Sequence, residues 1–281
     1  RSSGYLESTN QEKLIAEKLQ GAFAHFEARP VLSCNDMAAR AEPVAGGYRL
    51  NGEKVVVYNL ANADLILFTA LSPDGALQIF NVSPSADGVT LKCCNTFDGR
   101  RAGDLAIDNA FVPAEGLVVS GQAAEEVFSN VINEAYVAIS AELVGGMRRL
   151  LRETATYLQE RRQFGASLSS FQVLQHAVTD MFIALETSRS LVMAAAIKVR
   201  DNAPDRSKFS AAARLRATRA ARSVGEAAIQ LHGAIATTEE FCVGHFLKRA
   251  VVLEQLLGGE ALARSRFASG DLMQSNLGEE T

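Results

Sequence analysis

Two groups of residues carry types and spacings that could do chemistry. The first is rich in cations and amides: Arg161-Arg162-Gln163-Phe164-Gly165, then Gln172, then Gln230-Leu231-His232-Gly233. Arginine is always charged and presents a planar fork of donors to carboxylate or phosphate oxygens. The second is a pair of carboxylates, Glu134 and Glu142. Glu142 stands inside the apolar run 138–144 and should need a partner there. Metal and disulfide chemistry have weaker support. Cys34, Cys93, Cys94 and Cys242 form no CxxC pair, and His25, His176, His232 and His245 show no HExxH-like spacing. The cysteines therefore read as reduced thiols of a cytosolic protein, and no metal site is expected.

The elements that must position these groups fall into zones. Residues 5–20 read as a short polar helix or helix end, a remnant helical region over 1–21. Residues 22–119 read as β-rich. Tyr48–Leu50 and Lys54–Val57 flank Asn51-Gly52, a hairpin turn signal because both turn positions favour positive φ. Further short runs follow over 65–71, 77–82, 89–91 and 105–112, punctuated by Pro73-Asp74-Gly75, Asp87-Gly88 and Asp98-Gly99. Strand follows strand with no helical interval, which predicts an antiparallel barrel or sandwich.

Beyond Pro113 the apolar period becomes helical. Val137, Ala141, Val144, Met147, Leu151 and Leu158 form one stripe. Phe171, Leu174, Val178, Met181, Leu185, Val192 and Ala195 form a second, on a helix of nearly thirty residues. The Ala- and Arg-rich run 208–231 makes a third helix and 240–269 a fourth, with Asn202-Ala203-Pro204-Asp205 as a break. The fold class is α+β: a small β domain over 22–119, a four-helix bundle over 120–269 and a polar tail over 270–281.

Composition excludes several classes. The 281 residues are 48% hydrophobic, enough for a sizeable core, and carry a net charge of −4 with scattered basic residues. No basic stripe suggests nucleic acid, and no polybasic run or long apolar stretch suggests a membrane. The first residues lack the apolar core of a signal peptide, consistent with a cytoplasmic protein.

Arg161-Arg162-Gln163-Phe164-Gly165 resembles the R-x-x-F-G motif of the acyl-CoA dehydrogenase superfamily, with Phe171-Gln172 at the family's spacing. Gln230-Leu231-His232-Gly233 resembles its Q-x-(F/H)-G-G-x-G segment, and the stretch from Gly47 to Lys54 looks like its G-Y-x-L-N-G-x-K hairpin. The resemblance implies FAD bound at a subunit interface and an acyl-CoA thioester as substrate. It implies that Arg161 contacts the pyrophosphate with Phe164 beside it, that Gln172 lies near the adenosine end, and that Gln230 and Gly233 lie near the same pyrophosphate. It also implies that the helical domain with which the family begins is largely absent here.

The departures are as informative. The family's T-E-P…G-S-D stretch is represented by residues 25–36, where Glu27 and Asp36 survive but the pattern between them does not. Its W-(I/V)-(S/T) becomes Val56-Val57-Tyr58, in a chain without tryptophan, and Ala234 and Ala236 replace glycines. The carboxylate that takes the substrate's α proton usually lies in a Y-E-G-T-like segment. Here that segment is Leu256-Leu257-Gly258-Gly259, and Leu257 cannot accept a proton. The family's other base position falls on Ala135, with Glu134 beside it and Glu142 two turns on, so these two are the candidate catalytic residues.

The stretches Arg161–His176 and Val243–Arg249 look like the small subunit of heteromeric bacterial acyl-CoA dehydrogenases that act on steroid side-chain or dicarboxylic acyl-CoAs. The implied function is FAD-dependent α,β-dehydrogenation of an acyl-CoA in lipid or steroid catabolism, within a homo- or hetero-oligomer that includes a large subunit. The alternative is a non-catalytic scaffold that completes a partner's FAD site. Gly145-Gly146 could widen a pocket for a bulky acyl group.

Overall fold

The computed structural model describes residues 12, 13, 16, 18–29 and 36–269. Most of the expected helix over 5–20, Cys34 and the tail over 270–281 lie outside these. The described chain divides into two compact units, one up to Asn130 and one from Val131. No described helix is long and apolar enough to cross a membrane.

The first unit is built on β1 (Gly21–Ala24), β2 (Arg40–Val44), β3 (Gly47–Tyr58), β4 (Leu65–Leu71), β5 (Leu77–Val82), β6 (Val89–Asn95), β7 (Arg101–Pro113) and β8 (Leu117–Ser120). They form one sheet in the order β6-β7-β3-β2-β4-β5-β8, with β1 added on β4. The sheet is mixed, which corrects the antiparallel expectation: β1 and β2 both pair parallel to β4. Phe68, Phe80, Leu50, Ile66 and Leu77 are fully buried in it.

Asn51-Gly52 is not a turn. β3 runs straight through it, and the chain reverses earlier, at Ala45-Gly46, where Gly46 has φ 82. Asn51-Gly52 sits at a β-bulge against β7, between Leu50 and Gly52. The Asn51 Oδ1 accepts the Asn109 N–H at 2.8 Å. Gly52 is required by closeness, since a Cβ there would lie 2.6 Å from that of Ala39.

The helices are α1 (Gln122–Glu160), α2 (Gln172–Arg200), α3 (Arg206–His232), α4 (Cys242–Gln255) and α5 (Gly259–Ser269). A two-stranded ribbon, β9 (Arg162–Gln163) and β10 (Ala166–Ser167), joins α1 to α2. The second unit's core gathers Ile139, Leu143 and Met147 of α1, Met181, Leu185 and Val192 of α2, and Val243 and Leu253 of α4. They pack around a spine of alanines on α3, including Ala213, Ala217, Ala221 and Ala228. Small side chains let the neighbouring helices come close.

The expected fourth helix is two helices. α4 and α5 are separated by a tight turn, Leu256–Gly258, in which Leu257 takes a left-handed conformation (φ 55, ψ 50). Gly258 and Gly259, with φ 81 and 58, complete the break.

Candidate functional site

The arginine-glycine motif forms a hairpin tip. Phe164 and Gly165 have φ 53 and 79, the paired left-handed geometry of a two-residue turn that matches the twist of β9 and β10. Phe164 is 90% exposed and lies edge-on to Phe171, at 6.2 Å between ring centroids. Arg161 closes α1, its N–H donating to the Tyr157 carbonyl at 2.8 Å. Its side chain and that of Gln172 are exposed.

Gln230 and Gly233 lie at the other end of the second unit's sequence. Gly233 ends α3 with φ 68 and ψ −149, a conformation open to glycine. Its N–H donates to the carbonyls of Gln230 and Ile229, so this amide caps the helix. The resemblance puts Gly233 near a pyrophosphate, but its own amide is committed to the helix end. The Tyr157 hydroxyl donates to the His232 carbonyl at 3.2 Å, and the two rings stack at 4.5 Å. One turn before Arg161 is thus fastened to the residue before Gly233.

The helix that carries Ala135 and the turn that carries Leu257, the two positions that the resemblance gives to a base, are tied together through a neighbour. The Tyr136 hydroxyl, one residue after Ala135, donates to the Leu257 carbonyl at 3.3 Å. Beneath the turn lies the buried guanidinium of Arg214. Its Nη2 donates to the carbonyls of Leu253, Glu254 and Leu256, and its Nη1 donates to Thr218 Oγ1 at 2.9 Å. The guanidinium stands 5.8 Å from the Tyr136 ring centroid. Burial lowers the Arg214 pKa against the pull of Tyr136 and Glu254. Burial pushes the Tyr136 phenol up to about 12, opposed by Arg266 and Arg214. The Tyr136 phenol therefore keeps its proton near neutral pH. Beside them Asn133 Oδ1 accepts from Arg266 and Ser210, a second buried polar cluster.

Glu142 has the partner that its apolar surroundings demand, although on an exposed face. Arg249 Nε and Nη2 donate to its two carboxylate oxygens at 2.6 and 3.1 Å, with the side chains 18% and 43% exposed for Arg249 and Glu142. Glu134 is exposed beside the partly covered Ala135.

In the first unit, Glu27 acts as an internal brace. Its carboxylate accepts the N–H groups of Ala38 and Ala39 at 2.7 and 3.0 Å and pairs with the buried Lys54 at 2.8 Å. Burial would raise the Glu27 pKa, but Lys54 and the two amides outweigh it and hold the carboxyl low. Lys54 also donates to the His25 carbonyl, and burial brings its ammonium down to about 8 against the support of Glu27. Val56, which the resemblance sets in place of an indole, lies at a bulge with φ 50, rare for a β-branched residue. Sequence reasoning missed Arg214 because its helix reads as an evenly basic run; only the burial of one arginine among them distinguishes it.

Residues 126–270 match the family described as Acyl-CoA dehydrogenase, C-terminal domain. The chain belongs to the acyl-CoA dehydrogenase family. The mitochondrial isovaleryl-CoA dehydrogenase of Arabidopsis thaliana is 29% identical over 259 residues, 90% of this chain and 63% of that protein. The chain thus spans less than two thirds of that relative's length. Among solved structures, PigA with FAD and proline superposes with a TM-score of 0.88 at 26% identity, covering 95% of this chain and 71% of that one. A variant of the Tcur3481-Tcur3483 steroid ACAD gives 0.80 at 26% identity, covering 94% and 71%.

Proposed function

We propose that this chain is a subunit of an FAD-dependent acyl-CoA dehydrogenase, which removes the α proton and β hydride of an acyl-CoA thioester beside a large partner subunit. When bound, FAD supplies the acceptor for the hydride. The exposed donors at the second unit's motif fit its pyrophosphate half. Arg161 offers a charged fork, Gln172 and Gln230 offer amides, and Phe164 offers an uncovered ring. The ring half fits poorly, because Glu27 is committed to the backbone and Lys54, and Val56 replaces a stacking indole.

The observation that carries this reading is the Tyr136–Leu257 contact. It ties the helix that carries Ala135 to the turn that carries Leu257, the two places where the resemblance puts a base, and both residues are apolar here. A retained clamp with both base positions apolar supports a division of labour in which the partner supplies the proton acceptor. The likeness to the Tcur3481-Tcur3483 steroid ACAD supports both the heteromer and a bulky acyl group.

A second reading keeps the base in this chain at Glu134, favoured by its exposure next to Ala135. Glu142 is the weaker candidate because Arg249 holds both its oxygens. Turnover of the assembled complex separates the readings. Glu134→Gln and Glu142→Gln each leave it within about twofold if the partner holds the base, whereas loss of about 100-fold or more in either variant assigns the base here.

A further inference from the structure

The second unit holds a small cleft that the proposed reaction does not use. Leu143, Met147 and Leu253 wall it with Phe246, Gly146 lines it, and the Glu142–Arg249 pair stands at its solvent side. Its volume is about 100 Å³. An apolar cavity of about 150 Å³ holds a benzene ring, so this one has room for about four carbon-sized groups. A Cβ at Gly146 would meet Phe246 Cδ1 at 3.5 Å, an ordinary contact, so the absent side chain leaves space that a larger one would take.

An apolar recess ending at a forked cation has a definite complement. We propose that this cleft is a binding site for a short-chain aliphatic carboxylate of about four to five carbons, with its tail against Leu143, Met147 and Leu253 and its carboxylate on Arg249. Guanidinium binds carboxylate through two parallel N–H donors, and Nε and Nη2 of Arg249 already hold a carboxylate in that manner. Glu142 is the internal occupant that the ligand displaces. It is tethered in the same fold and already engages Arg249 through both oxygens, so the site is latched in the ligand's absence. Displacement exchanges one carboxylate for another, so no uncompensated charge is left on the arginine. The tail then supplies the gain, about fourfold in affinity for each methylene removed from water.

Calorimetric titration of the purified protein with pentanoate and with acetate tests this. The wild type should bind pentanoate at least tenfold more tightly than acetate. Glu142→Gln, which opens the latch while keeping the side chain's size, should bind pentanoate about tenfold more tightly than the wild type. Arg249→Met and Gly146→Leu should each lose pentanoate binding, and Gly146→Ala, which the cleft accommodates, should retain it. Equal affinities for pentanoate and acetate, or a Glu142→Gln protein no tighter than wild type, would overturn the proposal. The titration needs neither flavin nor partner, so its outcome is independent of the reaction proposed above.

Discussion

The Tyr136 hydroxyl donates to the Leu257 carbonyl at 3.3 Å, across the turn that separates α4 from α5. A leucine held left-handed costs roughly 1–2 kcal/mol relative to ordinary helical backbone. The turn keeps that geometry because its carbonyls have donors. Arg214 serves Leu253, Glu254 and Leu256, and Tyr136 serves Leu257. The turn that the resemblance assigns to a base is therefore held in place through its backbone, although Leu257 itself carries no carboxylate.

Removing these donors should loosen the turn from within. Arg214→Met strips buried carbonyls of their partner and is expected to cost about 2–4 kcal/mol, and Tyr136→Phe about 1 kcal/mol. Urea unfolding of the two variants measures both. A loss below about 0.5 kcal/mol in Arg214→Met would show that the turn does not depend on this guanidinium.

Lys54 gives a pH signature of its own. Its ammonium falls from 10.5 to about 8 on folding, chiefly through burial. Between those values the unfolded chain binds the extra proton, so the contribution of Lys54 to stability rises with pH from about 8 to about 10.5. Below pH 8 both states are protonated and the cost of burying the charge is fully present. The stability of wild type minus that of Lys54→Met should therefore climb across this interval, by an amount on the order of 3 kcal/mol at most. A difference that stays flat or falls from pH 8 to 10 would contradict the buried, partly deprotonated lysine.

Much of this architecture was legible before the structure. The boundaries of β4 and β5 match the apolar runs 65–71 and 77–82 because these strands are bounded by polar turns. α2 matches its stripe because Met181, Leu185, Val192 and Ala195 do face the core. The stripe on α1 was read off-centre: its Met147 and Leu158 are buried, but Ala141 is exposed, and Ile139, Leu143 and Leu150, outside the stripe, are buried as well. That helix is apolar over a wide arc, and periodicity alone does not choose the inner edge. Asn51-Gly52 misled because the same dipeptide serves a turn or a bulge, and only the closeness of Ala39 decides between them. β1 and β2 were invisible: four residues of GAFA and the proline-bearing RAEPV carry no alternation, and their pairing with β4 is a tertiary choice. For the candidate site, motif spacing singled out Arg161, Phe164 and Gly233 as candidates. It carried no sign of the Tyr157–His232 fastening or of the Arg214 cluster, which depend on residues distant in sequence.

The clamp should be separable from stability. Arg161→Ala removes an exposed charged donor and is expected to weaken FAD binding about 10- to 100-fold in the assembled protein, leaving the unfolding midpoint unchanged. Arg161→Lys should recover only part of the affinity, since a point charge does not reproduce the fork. Fluorescence titration with FAD measures both, and equal affinity in wild type and Arg161→Ala would remove this residue from the clamp.

In the proposed division of labour this chain supplies the pyrophosphate half of a flavin site whose ring half and proton acceptor lie in a partner. The visible absorbance spectrum of the purified protein, alone and after co-expression with a large acyl-CoA dehydrogenase subunit, tests it most directly. Flavin bands confined to the co-expressed complex are the predicted result. Stoichiometric flavin in the chain alone would contradict it, and would show that the pocket around Val56 and Glu27 still seats the ring.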